Sequence, residues 1–308
     1  MSENDGAAGK VTVGIEASST AFTAVALDAE GKSTGERTLV PDGSGETLTQ
    51  LISFIGGLKE EFGAFDTVGI AIPGLIHRES RRVAYSAHIP EHSTIDIVRD
   101  VQDATGYKTY IENDANAAAY GEFKLGAGRG ATNMFYATLG MGVGGALIVN
   151  GNIWHGDGGF AGEFGYIAIN SDGMRLEDVA SSANIVRRTR SRFHQDSTSS
   201  LNRIDEQKIS ITDIVTAAGK DDDFAQMMLE RTGVYVGTAI ASVINLLNIE
   251  RIVLGGEVMA AGSIVLDSVI KRARELSFGP SFKTTSIVSG ELGTAAAATG
   301  VALLAEQG

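Results

Sequence analysis

The sequence contains no cysteine. Disulfides, iron–sulfur clusters and any cysteine-based zinc site are therefore excluded. The absence accords with a reducing cytoplasm, where disulfides do not persist. Long apolar runs are missing too: no uninterrupted stretch reaches the ~18 residues needed to span a bilayer. The opening decapeptide, MSENDGAAGK, is polar and acidic and has none of the features of a signal peptide. A soluble, cytoplasmic protein is expected. Positive charge is scarce as well. Lysine and arginine number 25 against 38 aspartates and glutamates, a net charge of −13. That balance argues against a general binder of nucleic acid or anionic membrane. It leaves room for phosphate sites, which can be built from backbone N–H groups and a few local charges.

What is present points to a large α/β protein. A chain of 308 residues can bury a sizeable core and is long enough for two lobes. Glycine is plentiful, at 39, where ordinary usage of ~7% would give about 22. The excess clusters at 121–165 and 255–262. Glycine clustered between apolar strands marks backbone turns or close ligand approach.

Strands are expected at 11–15 and 21–27, with a turn at 28–32. Helical spacing covers 48–63, a buried strand 67–74, and a second helix 95–106. The stretch 108–126 starts as a strand and becomes an Ala-rich helix near Ala115. This alternation indicates an α/β lobe. Residues 133–140 and 145–154 form a second strand pair around a glycine turn, repeating the opening pattern, so a duplicated α/β unit is expected. Further on come a helix at 176–193, a polar loop at 196–203 and a long helix or helix pair at 223–248. A buried strand at 251–258 and an Ala-rich C-terminal helix follow. About ten residues precede the first strand, so no helix–turn–helix module is expected there.

Four places carry candidate chemistry. Asp114 follows a strand and precedes a helix, and ligands of open α/β sheets sit at strand carboxyl ends. It can act as a general base on a hydroxyl; equally, Asn113 or Asp114 can simply cap the helix. Gly140, Gly142, Gly144 and Gly145 let a turn fold against phosphate, or form a plain glycine hairpin. Glu163 sits among glycines and Glu177 follows it. With Asn113 and Asp114 they can bind several sugar hydroxyls, although Glu177 also suits the first turn of a helix. Gly255 and Gly256 end a strand, either at a nucleotide or at an ordinary strand-to-helix turn.

The order of these blocks resembles the sugar kinases of the repressor/open-reading-frame/kinase (ROK) family, in the actin-like ATPase superfamily, from about Val11 to Leu304. The family's opening D/E-x-G-G-T turn is here Glu16-Ala17-Ser18-Ser19-Thr20, and its G-x-P-G strand end is here Ile70-Ala71-Ile72-Pro73-Gly74. The E-N-D-A-N block is intact as Glu112–Asn116. The second phosphate turn is Gly140-Met141-Gly142-Val143-Gly144-Gly145. The G-E-x-G-H block reads Gly162-Glu163-Phe164-Gly165-Tyr166, the L-E-x-x-A-S block Leu176–Ser181, and the G-G pair Gly255-Gly256.

The resemblance implies a two-lobed actin-like (ribonuclease H-like) α/β fold. The N-terminal lobe would be 1–117 plus 293–308, and the larger one 118–292. It implies a cytoplasmic enzyme that phosphorylates a hexose, glucose foremost, with ATP and Mg²⁺, as a homodimer or homotetramer. Asp114 would be the general base. Asn113, Glu163, Tyr166, Glu177 and Gly74 would line the sugar. Glu16, Ser18, Ser19, Thr20, Gly140, Met141, Gly142, Gly144, Gly255 and Gly256 would hold the nucleotide and its phosphates. Catalysis would rest on positioning and electrostatics, with lobe closure excluding water.

Three departures stand out. Many family members bind a structural zinc through three cysteines and the histidine of the G-E-x-G-H block. Here the cysteines are absent and the histidine is Tyr166, so no zinc is expected. Ser18 and Ser19 put a Cβ where the family has glycine. Met141 replaces a threonine and removes a hydroxyl donor. These changes keep a second reading open, a non-catalytic sugar-binding or regulatory protein. Fructose, mannose or an N-acyl-hexosamine as substrate, and polyphosphate as donor, stay open as well.

Overall fold

A computed structural model describes residues 11–42, 46–77, 79–86 and 89–307. The acidic N-terminal decapeptide on which the leader expectation rests lies outside the described residues. The chain divides into two compact units. The first holds the described residues up to Leu125, then His155–Phe160 and the residues from Thr294 on; the second holds Gly126–Trp154 and Ala161–Gly293.

In the first unit β1 (Thr12–Ala17), β2 (Phe22–Leu27) and β3 (Ser33–Leu39) run antiparallel. Helix α1 (Thr47–Phe62) buries Leu51, Phe54, Ile55 and Leu58 on one face, the helical periodicity seen in the sequence. Strand β4 (Thr67–Ile72) lies parallel to β1. A hairpin of β5 (Leu75–His77) and β6 (Arg82–Tyr85) follows. Helix α2 (Ile97–Thr105) starts on the Asp96 carboxylate, which accepts from the Arg99 N–H, and stops at left-handed Gly106. Strand β7 (Lys108–Asn113) pairs with β4 and runs directly into α3 (Asp114–Leu125). The sheet order is β3-β2-β1-β4-β7. The C-terminal helix, Ala296–Gln307, packs on α3 and β1. A Cβ on Gly300 would overlap the Ala117 carbonyl, so the small residues of both helices let the backbones touch.

In the second unit β8 (Met134–Leu139), β9 (Val143–Val149) and β10 (Asn152–Ile153) are antiparallel. Helices α4 (Glu177–Ala180), α5 (Ser182–Arg190), α6 (Ile211–Ala218) and α7 (Asp223–Leu247) follow. Strand β11 (Arg251–Gly255), helices α8 (Ser263–Leu276) and α9 (Gly279–Thr284), and β12 (Ser286–Ser289) complete the unit. The order is β10-β9-β8-β11-β12, with β11 parallel to both β8 and β12. This is the first sheet again: β8, β9, β10, β11 and β12 occupy the places of β1, β2, β3, β4 and β7. The duplication expected from the repeated hairpins is present in full.

Several details differ from the sequence reading. The single helix expected at 176–193 breaks at Ser181, whose extended backbone (φ −69°, ψ 152°) separates α4 from α5. The segment 223–248 is one helix. Strands expected to reach 74 and 258 end at Ile72 and Gly255, and 145–154 splits at the Asn150–Gly151 turn. Strands β3, β5, β6 and β12 and helices α6, α8 and α9 were not anticipated. A boundary at 117 would cut α3 after one turn. The first unit instead runs to the end of that helix at Leu125, resumes for His155–Phe160, and begins again at Thr294.

Candidate functional site

Within the first unit, chemistry gathers where β7 meets α3. Glu112 is 5% exposed, and a carboxylate so buried must be well bonded. It accepts from the Asn113 N–H at 2.9 Å, Asn116 Nδ2 at 3.1 Å and the Tyr110 hydroxyl at 3.4 Å. His155 Nε2 lies 2.9 Å away. Burial alone would raise the Glu112 pKa; the bonds from His155, Asn116 and Asn113 outweigh it and hold the group below its ordinary value. Glu112 thus pins the turn that presents the next two residues.

Those two residues are Asn113 and Asp114. Asn113 Nδ2 donates to the Gly74 carbonyl at 2.9 Å and to Asp114 Oδ1 at 3.0 Å, and its Oδ1 accepts from the Asn116 N–H at 3.0 Å. Asp114 Oδ1 also accepts from the Ala115 N–H at 2.9 Å. The helix-cap reading and the ligand reading therefore divide: Asn113 bonds the third amide of the turn, while Asp114 is held by its neighbours. Gly74 is tied to this junction through Asn113.

Glu16, near the end of β1, stands within reach of the Asp114 charge. Burial and then that charge push its pKa from 4.5 to about 7. The adjoining turn, Ser18–Ala21, closes on itself. The Ser18 hydroxyl donates to the Ala21 carbonyl at 2.9 Å and accepts from the Ala21 N–H at 3.0 Å and the Thr20 N–H at 3.3 Å. The Ser18 N–H donates to the Ala21 carbonyl at 3.0 Å. Neither Ser18 nor Ser19 is among the described non-glycine residues with positive φ, so the serines sit without left-handed strain.

The second unit carries another group. The turn between β8 and β9 is Gly140–Gly142, closed by a Gly140 N–H to Gly142 carbonyl bond of 3.0 Å. A Cβ on Gly140 would meet nothing of the protein. Met141 at the tip is 43% exposed. Glu177 Oε2 accepts from the Val143 N–H at 2.9 Å, which fixes its carboxylate beside the hairpin. The Glu163 pKa is raised, first by burial and then by the Glu177 charge. Gly162 has φ +98°, and a Cβ there would overlap the Gly145 carbonyl. A Cβ on Gly145 would in turn come within 2.8 Å of Phe164 Cβ and 2.9 Å of the Gly162 carbonyl, so packing against the segment that carries Glu163 already requires glycine there. Tyr166 is 57% exposed, with the Arg175 guanidinium 4.5 Å over its ring.

Gly255 and Gly256 also have internal reasons to be glycine. A Cβ on Gly255 would overlap the Tyr136 hydroxyl; Gly256, at φ +88°, abuts the backbone of Leu139. Packing at Gly255 and backbone conformation at Gly256 thus each require glycine. Beside them, three sequence blocks are joined by a residue the sequence did not single out. The Ser182 N–H donates to the Gly140 carbonyl at 2.7 Å, and its hydroxyl donates to Glu257 at 2.6 Å. His155, Ser182 and Glu257 were missed, and Asn116 was seen only as part of the E-N-D-A-N block, without its bond to Glu112. The partners of His155 and Ser182 are 43 and 75 residues away in the chain, so no spacing rule could have paired them. Among the described residues no cluster of three metal-ligating side chains occurs, and no helix is long and apolar enough to cross a membrane.

Comparison with known proteins gives consistent relatives. The ROK family profile matches residues 12–308. A glucokinase of Halalkalibacterium halodurans is 35% identical over 213 residues, 66% of this chain and 64% of that relative, just under two thirds of its length. The crystal structure of a ROK family glucokinase from Streptomyces griseus in complex with glucose and AMPPNP superposes with a TM-score of 0.86 at 27% identity. That match covers 97% of this chain and 100% of that one. The xylose repressor of Bacillus subtilis is 25% identical over 242 residues, 76% of this chain and 59% of the repressor.

Proposed function

Because the chain belongs to the ROK family, we propose that it transfers the terminal phosphoryl group of ATP to a hexose, glucose foremost, forming the 6-phosphate. The observation that carries this reading is Asp114. It sits at a strand's carboxyl end, its Oδ1 bonded by Asn113 and the Ala115 N–H, with Glu16 close enough to feel its charge. In this reading Asp114 takes the proton from the attacking hydroxyl as the new O–P bond forms. Asn113 orients that hydroxyl, and Glu163 and Glu177 accept hydrogen bonds from other sugar hydroxyls. The Gly140–Gly142 turn lies against the phosphates, and its open glycine leaves the space they need. Glu16 suits a hard divalent cation, which takes oxygen ligands; burial and the neighbouring Asp114 charge push this carboxylate up to about 7, and a cation beside it would offset that unfavourable charge. Bound there, Mg²⁺ would neutralise phosphate charge.

A second reading has its own support. In the Ser18–Ala21 turn three N–H groups are bonded inside the turn, the Met141 side chain offers no donor, and a repressor is among the relatives. In that reading the protein binds sugar without turning it over. The deciding experiment is sugar-dependent ADP release with Mg²⁺ and ATP across a panel of hexoses, alongside sugar binding by calorimetry. Turnover with a hexose supports the kinase and names its substrate. Sugar binding with no ADP release from any hexose sinks it in favour of a sensor.

A further inference from the structure

The contact between Ser182 and Glu257 does more than brace the second unit. Strand β11 pairs with β8 in the register Gly255 to Thr138, and Gly256 is pressed against Leu139, the residue before the glycine turn. Glu257 therefore emerges beside that turn. Its carboxylate is then held in place: Ser182, only 5% exposed, donates its hydroxyl to Glu257 Oε1 at 2.6 Å and its N–H to the Gly140 carbonyl at 2.7 Å. One buried serine thus ties the carboxylate to the tip of the hairpin. Among the described residues no cation pairs with Glu257, and its side chain is exposed. A negative charge fixed next to a turn read as phosphate-holding is costly unless something selects for it.

We propose that Glu257, positioned by Ser182, selects the phosphoryl donor. It accommodates a nucleoside triphosphate, whose anionic chain gives way to a ribose bearing hydroxyl donors. It disfavours an inorganic polyphosphate, whose negative charge continues past the turn. The inference rests on the kinase reading, and on the Gly140–Gly142 turn as the phosphate side of the donor site. Like charges within several ångströms repel even under partial screening, while a carboxylate accepts strong hydrogen bonds from ribose hydroxyls.

The test is binding, so that it does not depend on turnover. Dissociation constants for ATP and for short-chain inorganic polyphosphate, each with Mg²⁺, are measured by calorimetry on the wild type, Glu257→Gln and Ser182→Ala. Glu257→Gln should shift the preference for ATP over polyphosphate by about tenfold toward polyphosphate, the effect of removing one nearby unit charge. Ser182→Ala frees the carboxylate and should shift it the same way by a smaller factor, which keeps the test alive if Glu257→Gln folds poorly. An unchanged preference in folded variants overturns the proposal, as does a wild type that binds neither donor or prefers polyphosphate. Sugar-dependent ADP release by the wild type judges the kinase reading separately, so kinase activity with an unchanged donor preference would remove Glu257 alone.

Discussion

The β1–β2 turn and the β8–β9 turn occupy the same place in two copies of one sheet, yet they are built in opposite ways. The first, Ser18–Ala21, is closed by side-chain chemistry: one serine hydroxyl satisfies two N–H groups and a carbonyl of its own loop. The second, Gly140–Gly142, is closed by one backbone bond, and its first glycine faces open space. A serine turn is a structure complete in itself. A glycine turn whose first residue has open space where a side chain would stand has room for something else. The duplication kept the topology but not the side chains: the first copy holds Asp114 and Glu16, the second the open turn and the Glu163–Glu177 pair, and the proposed function divides the work between them.

The largest expected effect tests that division. Asp114→Asn should lower kcat by about 10³-fold, within the range of a lost general base, while calorimetry shows sugar binding retained. Unchanged turnover would remove the first copy from the chemistry. Next come two glycines of the second copy. Gly256→Ala should destabilise the protein by about 3 kcal/mol in denaturant unfolding, because it combines overpacking against Leu139 with a positive φ. Gly140→Ala should leave stability within about 0.5 kcal/mol and weaken ATP binding about tenfold. If Gly140→Ala binds ATP normally, the open turn is only a turn.

Glu16 adds a dependence on pH. Its folded pKa of about 7 exceeds its ordinary 4.5, so the folded state holds the proton more tightly. The stability this gives is complete below pH 4.5 and is lost as pH rises through about 7. Unfolding of the metal-free protein at pH 5 and pH 8 should show that loss, and Glu16→Gln should abolish it. Mg²⁺ binding should strengthen over the same rise as the carboxylate ionises. The smallest effect belongs to the serine turn. Ser18→Ala should destabilise by about 1 kcal/mol, the worth of a hydrogen bond in such a loop. A neutral result would mean that the loop closes without its hydroxyl.

Much of this was legible in the chain. Periodicity located α1, α2 and α7, because each buries one face or most of its length. The repeated hairpin announced the duplicated sheet. Strand β3 escaped because it is largely exposed and polar, STGERTL, and gives no apolar signal. Strand β12 is four residues, too short for a periodic pattern. In the site, the intact E-N-D-A-N block marked Asn113 and Asp114, and the glycines marked the second turn. The reasons for individual glycines were not legible: Gly145, Gly255 and Gly256 serve packing, while Gly140 does not, and only the neighbours of each could tell them apart.

The sequence by itself determined the alternation of strands and helices, the two hairpin turns, the acidic net charge and the absence of thiol chemistry. These depend on local propensity, hydrophobic period and composition, all written in adjacent residues. The tertiary structure alone decided that His155 holds Glu112, that Ser182 joins Gly140 to Glu257, and that burial and the Asp114 charge raise the pKa of Glu16. Hydrogen bonds and charges act over a few ångströms of space, and the groups that meet there are separated along the chain by tens of residues.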